Sequence, residues 1–337
     1  MIILRPARLS DLSQLERLAK ESGTMVSTLP AKKESLVRKI ERSVASFAQD
    51  VVTPGEESYF FVLEESLTGQ VVGTGAINAL SGYRTPFYAF RNDMLIHSSR
   101  ELNVHSRVHA LSLTHDLSDH SNLCSFYVVE SLLKTLYPAL ITLGRLLYMS
   151  VEQQRFTNEW MAVLPGLCDE KGRAPFWEHV GRKFVGLDYD EVEFLNSTKE
   201  GTFIAELMPH YPLYVPLFDE EAQLAIGMVN PKAELQCNLL SGQGFEPDKY
   251  VEIFDGGPIL SATRSTLSIW QEHRQATLSL GAVPADAELH LIGFNTDKGF
   301  VAFISPCQVK GDKLKLESAV AKQVGLKSKL KVWHIAL

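Results

Sequence analysis

Tyr59-Phe60-Phe61-Val62-Leu63, then Thr68-Gly69, then Gln70-Val71-Val72-Gly73 running on to Ile77, is the stretch whose reading decides the fold. Its first run is rich in the aromatic and β-branched residues that suit a pleated surface. Thr68-Gly69 supplies a turn, and the return run completes a β-hairpin. Working back towards the N-terminus, a helix is expected from about Glu34 to Gln49, with Leu36, Val37, Ile40, Val44 and Phe47 on one side, and Pro54-Gly55 closes it. Leu29-Pro30 separates it from an earlier helix. There Ser10 and Asp11 offer N-cap oxygens ahead of Leu12, Leu15, Leu18 and Ala19. Ile2-Ile3-Leu4-Arg5 reads as a short opening strand.

Working forward, Leu123 to Val129 reads as a strand and Leu132 to Met149 as a helix despite Pro138. Pro175-Phe176-Trp177 opens a further helix, and Phe184 to Leu187 reads as extended. Phe203 to Met208 reads as a strand, before Pro209, Pro212 and Pro216 forbid a regular helix. A short helix is expected over Glu220–Ile226 and another from about Pro231 to Leu240, ahead of a strand from Tyr250 to Phe254. Gly256-Gly257 reads as a tight turn needing positive φ. After Arg264 short strands dominate (Leu289–Gly293, Gly299–Ile304, Lys313–Leu316, Lys331–Ala336), with a helical turn at Ala319–Val324. These form a small β-rich C-terminal module at residues 275–337.

The chain has 337 residues, 45% of them hydrophobic and 22% charged, which excludes wholesale disorder and allows a sizeable core. Thirty-three Lys and Arg against 40 Asp and Glu give a net charge of −7. That balance argues against a nucleic-acid or membrane-surface protein, since both need a basic face. Cys124, Cys168, Cys237 and Cys307 have no CxxC spacing, so a zinc ribbon is excluded, no disulfide framework is expected, and a cytoplasmic location is the default. The N-terminus has only a four-residue apolar start, too short for a secretory signal. The most apolar stretch, Tyr127 to Val151, is broken by Glu130, Lys134, Pro138 and Arg145, so it reads as buried rather than membrane-spanning.

Strand, two helices, hairpin, strand, helix, strand, helix, strand is the order of the GCN5-related N-acetyltransferase fold, an α/β (α+β mixed-sheet) class. More specific words accompany it: Leu4-Arg5-Pro6-Ala7, Phe61-Val62-Leu63-Glu64, Gly69-Gln70-Val71-Val72-Gly73, Arg100-Glu101-Leu102-Asn103-Val104, Ala205-Glu206-Leu207-Met208-Pro209 and Ile253-Phe254-Asp255-Gly256-Gly257-Pro258. In this order and spacing they resemble the arginine N-succinyltransferase family over about residues 1–265. Some bacteria divide that enzyme between paralogous alpha and beta chains. Ser58-Tyr59-Phe60-Phe61, Pro86-Phe87-Tyr88, Phe90-Arg91-Asn92, Ser125-Phe126-Tyr127-Val128 and Gly144-Arg145-Leu146-Leu147 resemble the alpha type.

The resemblance implies that succinyl-CoA and L-arginine give N2-succinyl-L-arginine and free CoA, with ornithine a possible second acceptor. It also implies a beta-chain partner or self-association, and no permanently bound cofactor or metal. Such a reaction needs a base for the amine proton, a backbone N–H for the oxyanion, and a loop for the CoA pyrophosphate. Phe126 falls at the family's succinyl-CoA position, where contact is through the backbone; it also reads as a core strand residue. Single-chain relatives carry Arg-x-x-Gly-x-Gly after this strand, but here the segment is Leu133-Lys134-Thr135-Leu136-Tyr137-Pro138. Both glycines are gone, and Pro138 lacks a donor. Lys134 or Arg145 can supply a compensating charge, or each is a solvated surface residue.

The family's proton-transferring His lies in Gly-x-Val-His-Pro, which here reads Gly227-Met228-Val229-Asn230-Pro231. Asn230 can orient a substrate but cannot cycle a proton. It also reads as a helix N-cap with Pro231 at the first position. Glu206 and His210 are substitute candidates. Glu206 is expected in an apolar strand, as a base, a guanidinium ligand or half of a salt bridge, and His210 sits in a Pro-rich loop or is a surface histidine. Arg84 and Arg91 are candidate clamps for the succinyl carboxylate. His115 and Asp116 are candidates for the acyl pocket or the substrate arginine, or form a structural pair. His105 and His109 lie four apart, a spacing that chelates metal on a helix but not on the strand that the alternation of Val104–Leu113 suggests.

The repeated helix–Gly-Phe–strand ending suggests two related half-units, placing units at residues 1–195 and 196–264 ahead of the C-terminal module. The expectations for function are an alpha succinyltransferase subunit, a non-catalytic partner of a beta chain, or an arginine-binding protein.

Overall fold

Arg5 is buried in the first strand (β1, Ile2–Pro6), where it pairs with Asp11 at 2.8 Å and with Glu64. These pairs lock β1 to the start of the first helix and to the strand beside it. Helices α1 (Leu12–Ser22) and α2 (Lys33–Ala48) follow, then the hairpin β2 (Ser58–Glu65) and β3 (Val71–Asn78) with Tyr59 opposite Ile77. Next come a long hairpin, β4 (Ala89–Ser99) and β5 (Val104–Thr114), then β6 (Ser121–Val128), α3 (Tyr137–Val151) and β7 (Glu159–Val163). Without the β4–β5 arm, this is the expected acyltransferase order in a mixed α/β sheet. The computed structural model describes residues 1–169, 171–198 and 202–337.

The chain continues through α4 (Arg182–Val185), α5 (Tyr189–Thr198), α6 (Thr202–Leu207), β8 (Leu213–Tyr214), α7 (Glu220–Ala225) and α8 (Glu234–Ser241) to β9 (Glu246–Val251) and β10 (Pro258–Thr263). The C-terminal part holds α9 (Ser268–Glu272), β11 (Arg274–Leu280), β12 (Leu289–Thr296), β13 (Gly299–Pro306), β14 (Gln308–Lys310), β15 (Lys313–Leu316), α10 (Ser318–Gln323) and β16 (Lys331–Ala336). Among the described residues the strands join one sheet in the order β14-β15-β11-β16-β12-β13-β1-β2-β3-β6-β7-β10-β9-β4-β5-β8. The strands of 275–337 extend the sheet past β1, and β9 and β10 of 196–264 extend it past β7.

The two faces of β2 explain its unbroken apolar run. Phe60 and Val62 pack with Leu15, Leu18, Leu36 and Ile40 of α1 and α2, while Tyr59, Phe61 and Leu63 face α3. A strand covered on both faces needs no polar alternation. Helix α3 is buried almost all round, because the sheet, α8, α9 and the C-terminal strands surround it.

Three expectations are corrected. Phe203–Met208 is not a strand: residues up to Leu207 are helix α6, and its Ile204, with Met208 just past its end and four positions on, packs against Phe176, Trp177 and Phe254. The helical period was present, but the short apolar run masked it. Phe184–Leu187 is not extended, since α4 runs through Val185 and ends at Gly186 with φ 75°. The helix expected from Leu132 starts only at Tyr137, with Pro138 in its first turn, where a missing N–H costs nothing. His105 and His109 lie on strand β5, and His109 Nδ1 meets Asn92 Oδ1 at 2.9 Å. No helix among the described residues is long and apolar enough to cross a membrane.

Candidate functional site

Strand β6 carries a backbone irregularity next to the cleft residue Thr28. Its pairing with β3 shifts register between Thr74 and Ala76, and Ser125 takes a positive φ of 53°. The strained residue is held by Thr28 from the α1–α2 connection: Ser125 N donates to Thr28 Oγ1, and Ser125 Oγ donates to Thr28 O, both at 2.8 Å. β6 runs parallel to β7 only over Ser121–Leu123.

Beside this bulge opens a cleft of about 1040 Å³, roomy enough for a cofactor-sized ligand. One wall is cationic, with Arg38, Lys39 and Arg42 on α2, and Arg84 on the facing loop. Arg84 Nε donates to Glu56 Oε2 at 2.5 Å, Arg42 donates to the Glu56 carbonyl, and Arg38 reaches Ser35 Oγ at 3.3 Å. The Lys39 ammonium stands 5.2 Å from the Phe60 ring centre, and burial pushes its pKa down. Asn78 and Asn122, opposite each other on β3 and β6, also line the cleft. Ser58 Oγ donates to Asn78 Oδ1 at 2.9 Å, whereas buried Asn122 Oδ1 has no hydrogen-bond partner among the described residues.

The cleft also carries carboxylates: Glu56 and Glu57 beside these arginines, and Glu252 from a separate turn. Glu252, on the turn between β9 and β10, lines the cleft, and its Oε2 accepts from Phe254 N at 2.6 Å and Asp255 N at 2.8 Å. Behind it lie buried Asp255 and Glu193. Asp255 Oδ2 accepts from Gly166 N at 2.7 Å and from Tyr189 Oη at 3.4 Å, and Oδ1 accepts from Gly257 N at 2.8 Å. No ion pair among the described residues reaches any of these three carboxyls. Burial and mutual repulsion hold Glu252 well above the usual carboxylate range and push Glu193 up to about 8, while burial raises Asp255.

The turn that presents them depends on glycine in two ways. Gly256 has φ 70°, as expected. Gly257 is instead required by crowding, since a Cβ there would stand 2.3 Å from Leu164 O and 2.6 Å from Gly166 N.

The residues singled out from sequence are dispersed. Arg84 lines the cleft. Arg91 lies on β4 in ion pairs with Asp93 and Asp116, both at 3.0 Å, and Tyr250 Oη donates to Asp116 at 3.1 Å. His115 sits edge-on to the cleft residue Tyr88, with ring centres 6.5 Å apart. Phe126 is half-buried on β6, 6.0 Å from the Arg145 guanidinium. Arg145 is not a surface residue: it is 0% exposed and donates to the carbonyls of Ile141, Ala76 and Cys124. Lys134 is exposed on the β6–α3 connection.

Glu206 is exposed on α6 and not buried in a strand, and His210 is exposed beyond it. Asn230 is the N-cap its context suggested. Its Oδ1 accepts from Lys232 N and its Nδ2 donates to Gly166 O, both at 3.1 Å. The carboxyl cluster itself was missed. Its readable signal was Glu252 and Asp255 flanking Phe254 inside a family word from which only the glycines were taken.

The family model for the arginine N-succinyltransferase beta subunit matches residues 2–269. The chain is 43% identical over 328 residues to arginine N-succinyltransferase subunit alpha of Pseudomonas aeruginosa, covering 96% of this chain and 97% of that protein. It is 32% identical over 336 residues to subunit beta of the same organism, covering 100% of this chain and 98% of that one. The solved structure of arginine/ornithine succinyltransferase subunit AI from Pseudomonas aeruginosa superposes with a TM-score of 0.92 at 39% identity, covering 100% of this chain and 98% of the other.

Proposed function

The chain belongs to the arginine N-succinyltransferase family, and from this premise we propose that it is an alpha-type subunit that transfers the succinyl group of succinyl-CoA to the α-amine of arginine, together with a beta-type chain. The observation that carries this is a cleft that brings several cationic side chains and the buried carboxylate of Glu252 into one cavity. An acceptor carrying both a carboxylate and an ammonium finds cationic partners in Arg38 and Arg42 and an anionic one in Glu252 among the lining residues. The succinyl carboxylate suits the same cationic wall, with Arg84 as the assigned clamp.

In this reading the neutral amine attacks the thioester carbonyl, and a backbone N–H near Phe126, just past the Ser125 bulge, stabilises the developing oxyanion. Lys134 is the assigned phosphate contact. Arg145 holds the bulge from beneath through the carbonyls of Ala76 and Cys124. The exposed apolar side chains Met94, Ile96, Leu102 and Val104 lie on the part of the β4–β5 arm beyond its pairing with β9 and β8, and suit a protein partner, since a two-stranded ribbon alone is only marginally stable in water. The four cysteines are free thiols, which supports a reducing compartment such as the cytoplasm.

The test is CoA release from succinyl-CoA and arginine by the purified chain, alone and mixed with a beta-type paralogue. Turnover by the chain alone supports a complete site within it. Turnover only in the mixture favours a supporting subunit, a second reading motivated by the committed amide of Asn230 and by Pro138 where relatives carry a glycine loop. Arginine binding without any CoA release from either preparation supports a binding protein instead.

A further inference from the structure

Acylation of an amine at neutral pH needs a group that accepts a proton from the ammonium, and position 230 offers only an amide. We propose that Glu252 is that group, with Glu193 and Asp255 as positioning residues behind it and Asn122 as a hydrogen-bond acceptor for the same amine. The proposal rests on the reading of the chain as an amine acyltransferase, and deepens it.

Four features of the structure carry the assignment. Glu252 lines the cleft, unlike Glu206 and His210, which are exposed elsewhere. Its carboxylate is aimed by two backbone N–H groups, so its orientation does not depend on a mobile side chain. The three carboxyls have no cationic partner among the described residues, a costly arrangement unless protons or a bound cation neutralise them. Finally, two nine-tenths-buried acceptors are left unsatisfied: Asn122 Oδ1, which lines the same cleft as Glu252 (the residue 6% exposed), and Glu193 Oε2 of the cluster (7% exposed). Buried acceptors without donors are rare in folded proteins, and an ammonium is a triple donor.

The empty cluster therefore carries protons, and a cationic amine displaces one into solvent by supplying the missing positive charge. The Glu252 carboxylate then takes a proton from the ammonium. The freed nitrogen lone pair attacks the carbonyl carbon of the acyl thioester, the C–N bond forms and the C–S bond breaks. A second nitrogen proton goes to the departing thiolate, giving the thiol. The proton on Glu252 restores the resting cluster, so the single proton released per turnover is the one displaced when the amine binds. The acceptor's own carboxylate faces Arg38 and Arg42.

The experiment combines two readouts on the chain, alone and with a beta-type paralogue. Arginine binding is measured by calorimetry in buffers of different ionisation heat, which counts the protons released, and CoA release is followed against pH. Wild type is expected to release roughly one proton on binding arginine. E252Q keeps the shape of the side chain. It is expected to bind arginine without that proton release and to lose about 10²–10⁴-fold in kcat, with the KM for succinyl-CoA little changed. If E252Q does not fold, E252D replaces it, and a displaced acid limb of the pH profile is the expected result.

E252Q or E252D with wild-type kcat, pH profile and proton count overturns the assignment of Glu252 while leaving the acyltransferase reading intact. Wild type that neither binds arginine nor releases CoA, alone or mixed, overturns both.

Discussion

Asn230 Nδ2 donates to the carbonyl of Gly166 at 3.1 Å, and the N–H of that same glycine donates to Asp255 Oδ2 at 2.7 Å. The residue at the family's histidine position is thus linked to Asp255 through the single residue Gly166, and it acts on the carboxyl cluster through the backbone. Its other amide atom caps the turn at Pro231. Asn230→Ala is expected to lower stability by about 1–2 kcal/mol through loss of the cap and of one buried hydrogen bond, with kcat reduced only several-fold. Thermal unfolding and CoA release on the same preparation check this. An unchanged melting temperature with turnover abolished would place the amide on the reacting atoms instead.

The carboxyl cluster makes stability fall as pH rises. Glu193 titrates near pH 4.5 in the unfolded chain and at about 8 in the folded one. Over that window the folded state binds more protons than the unfolded state, so its advantage is complete below pH 4.5 and is lost as pH climbs towards 8. Glu252 and Asp255 shift in the same direction. The slope is at most about 1.4 kcal/mol per pH unit for each group. Urea unfolding at several pH values between 5 and 8 is expected to show the decline, and Glu193→Gln to flatten it. Because His290 and His334, lowered by burial, act in the opposite sense, the comparison decides: a Glu193→Gln profile with the same slope as wild type contradicts the raised Glu193 carboxyl.

How much of this was legible in sequence depended on how local the signal was. The β2–β3 hairpin was plain, because its strands, turn and β-branched content all lie within the short span Ser58–Asn78 and agree. The N-cap role of Asn230 was plain for the same reason, with Pro231 beside it. Helix α6 was misread because a six-residue apolar run does not distinguish period 2 from period 3.6. The burial of Arg145 was hidden because an arginine's default is the surface, and only the long-range packing of α3 onto strands β3 and β6 encloses it. The Glu193–Glu252–Asp255 cluster had no spacing signal at all, since its members come from α5 and the distant β9–β10 turn and acquire their chemistry only through burial.

Arg145 sits under the β6 bulge with no carboxylate partner, and its Nη2 has no acceptor among the described residues. Burial pulls its pKa down to about 10, which leaves it charged at neutral pH. It is retained because the bulge exposes the carbonyls of Ala76 and Cys124 to the core, and the guanidinium satisfies both. Arg145→Ala removes those donors and leaves a cavity, for an expected loss of about 3–5 kcal/mol. The KM for succinyl-CoA in the surviving folded fraction is expected to stay near wild type. A strong rise in that KM with little change in denaturation midpoint would restore the phosphate-contact role first expected for this residue.

Arg84 and Arg91 began as equal candidates for the succinyl clamp, and their surroundings separate them. Arg91 is held by Asp93 and Asp116, so taking a substrate carboxylate would mean giving up two existing ones. Arg84 lines the cleft with Glu56 as its carboxylate, on an exposed loop where the exchange is cheap. Arg84→Ala is therefore expected to raise the KM for succinyl-CoA by roughly tenfold, the equivalent of one charge-assisted contact. Arg91→Ala is expected to change that KM less than about twofold and to cost under about 1 kcal/mol in stability. Steady-state kinetics on both variants, with acetyl-CoA as a control donor lacking the distal carboxylate, decide the matter. A clamp shows its defect with succinyl-CoA alone, and a selective defect in Arg91→Ala with Arg84→Ala unaffected would reverse the assignment.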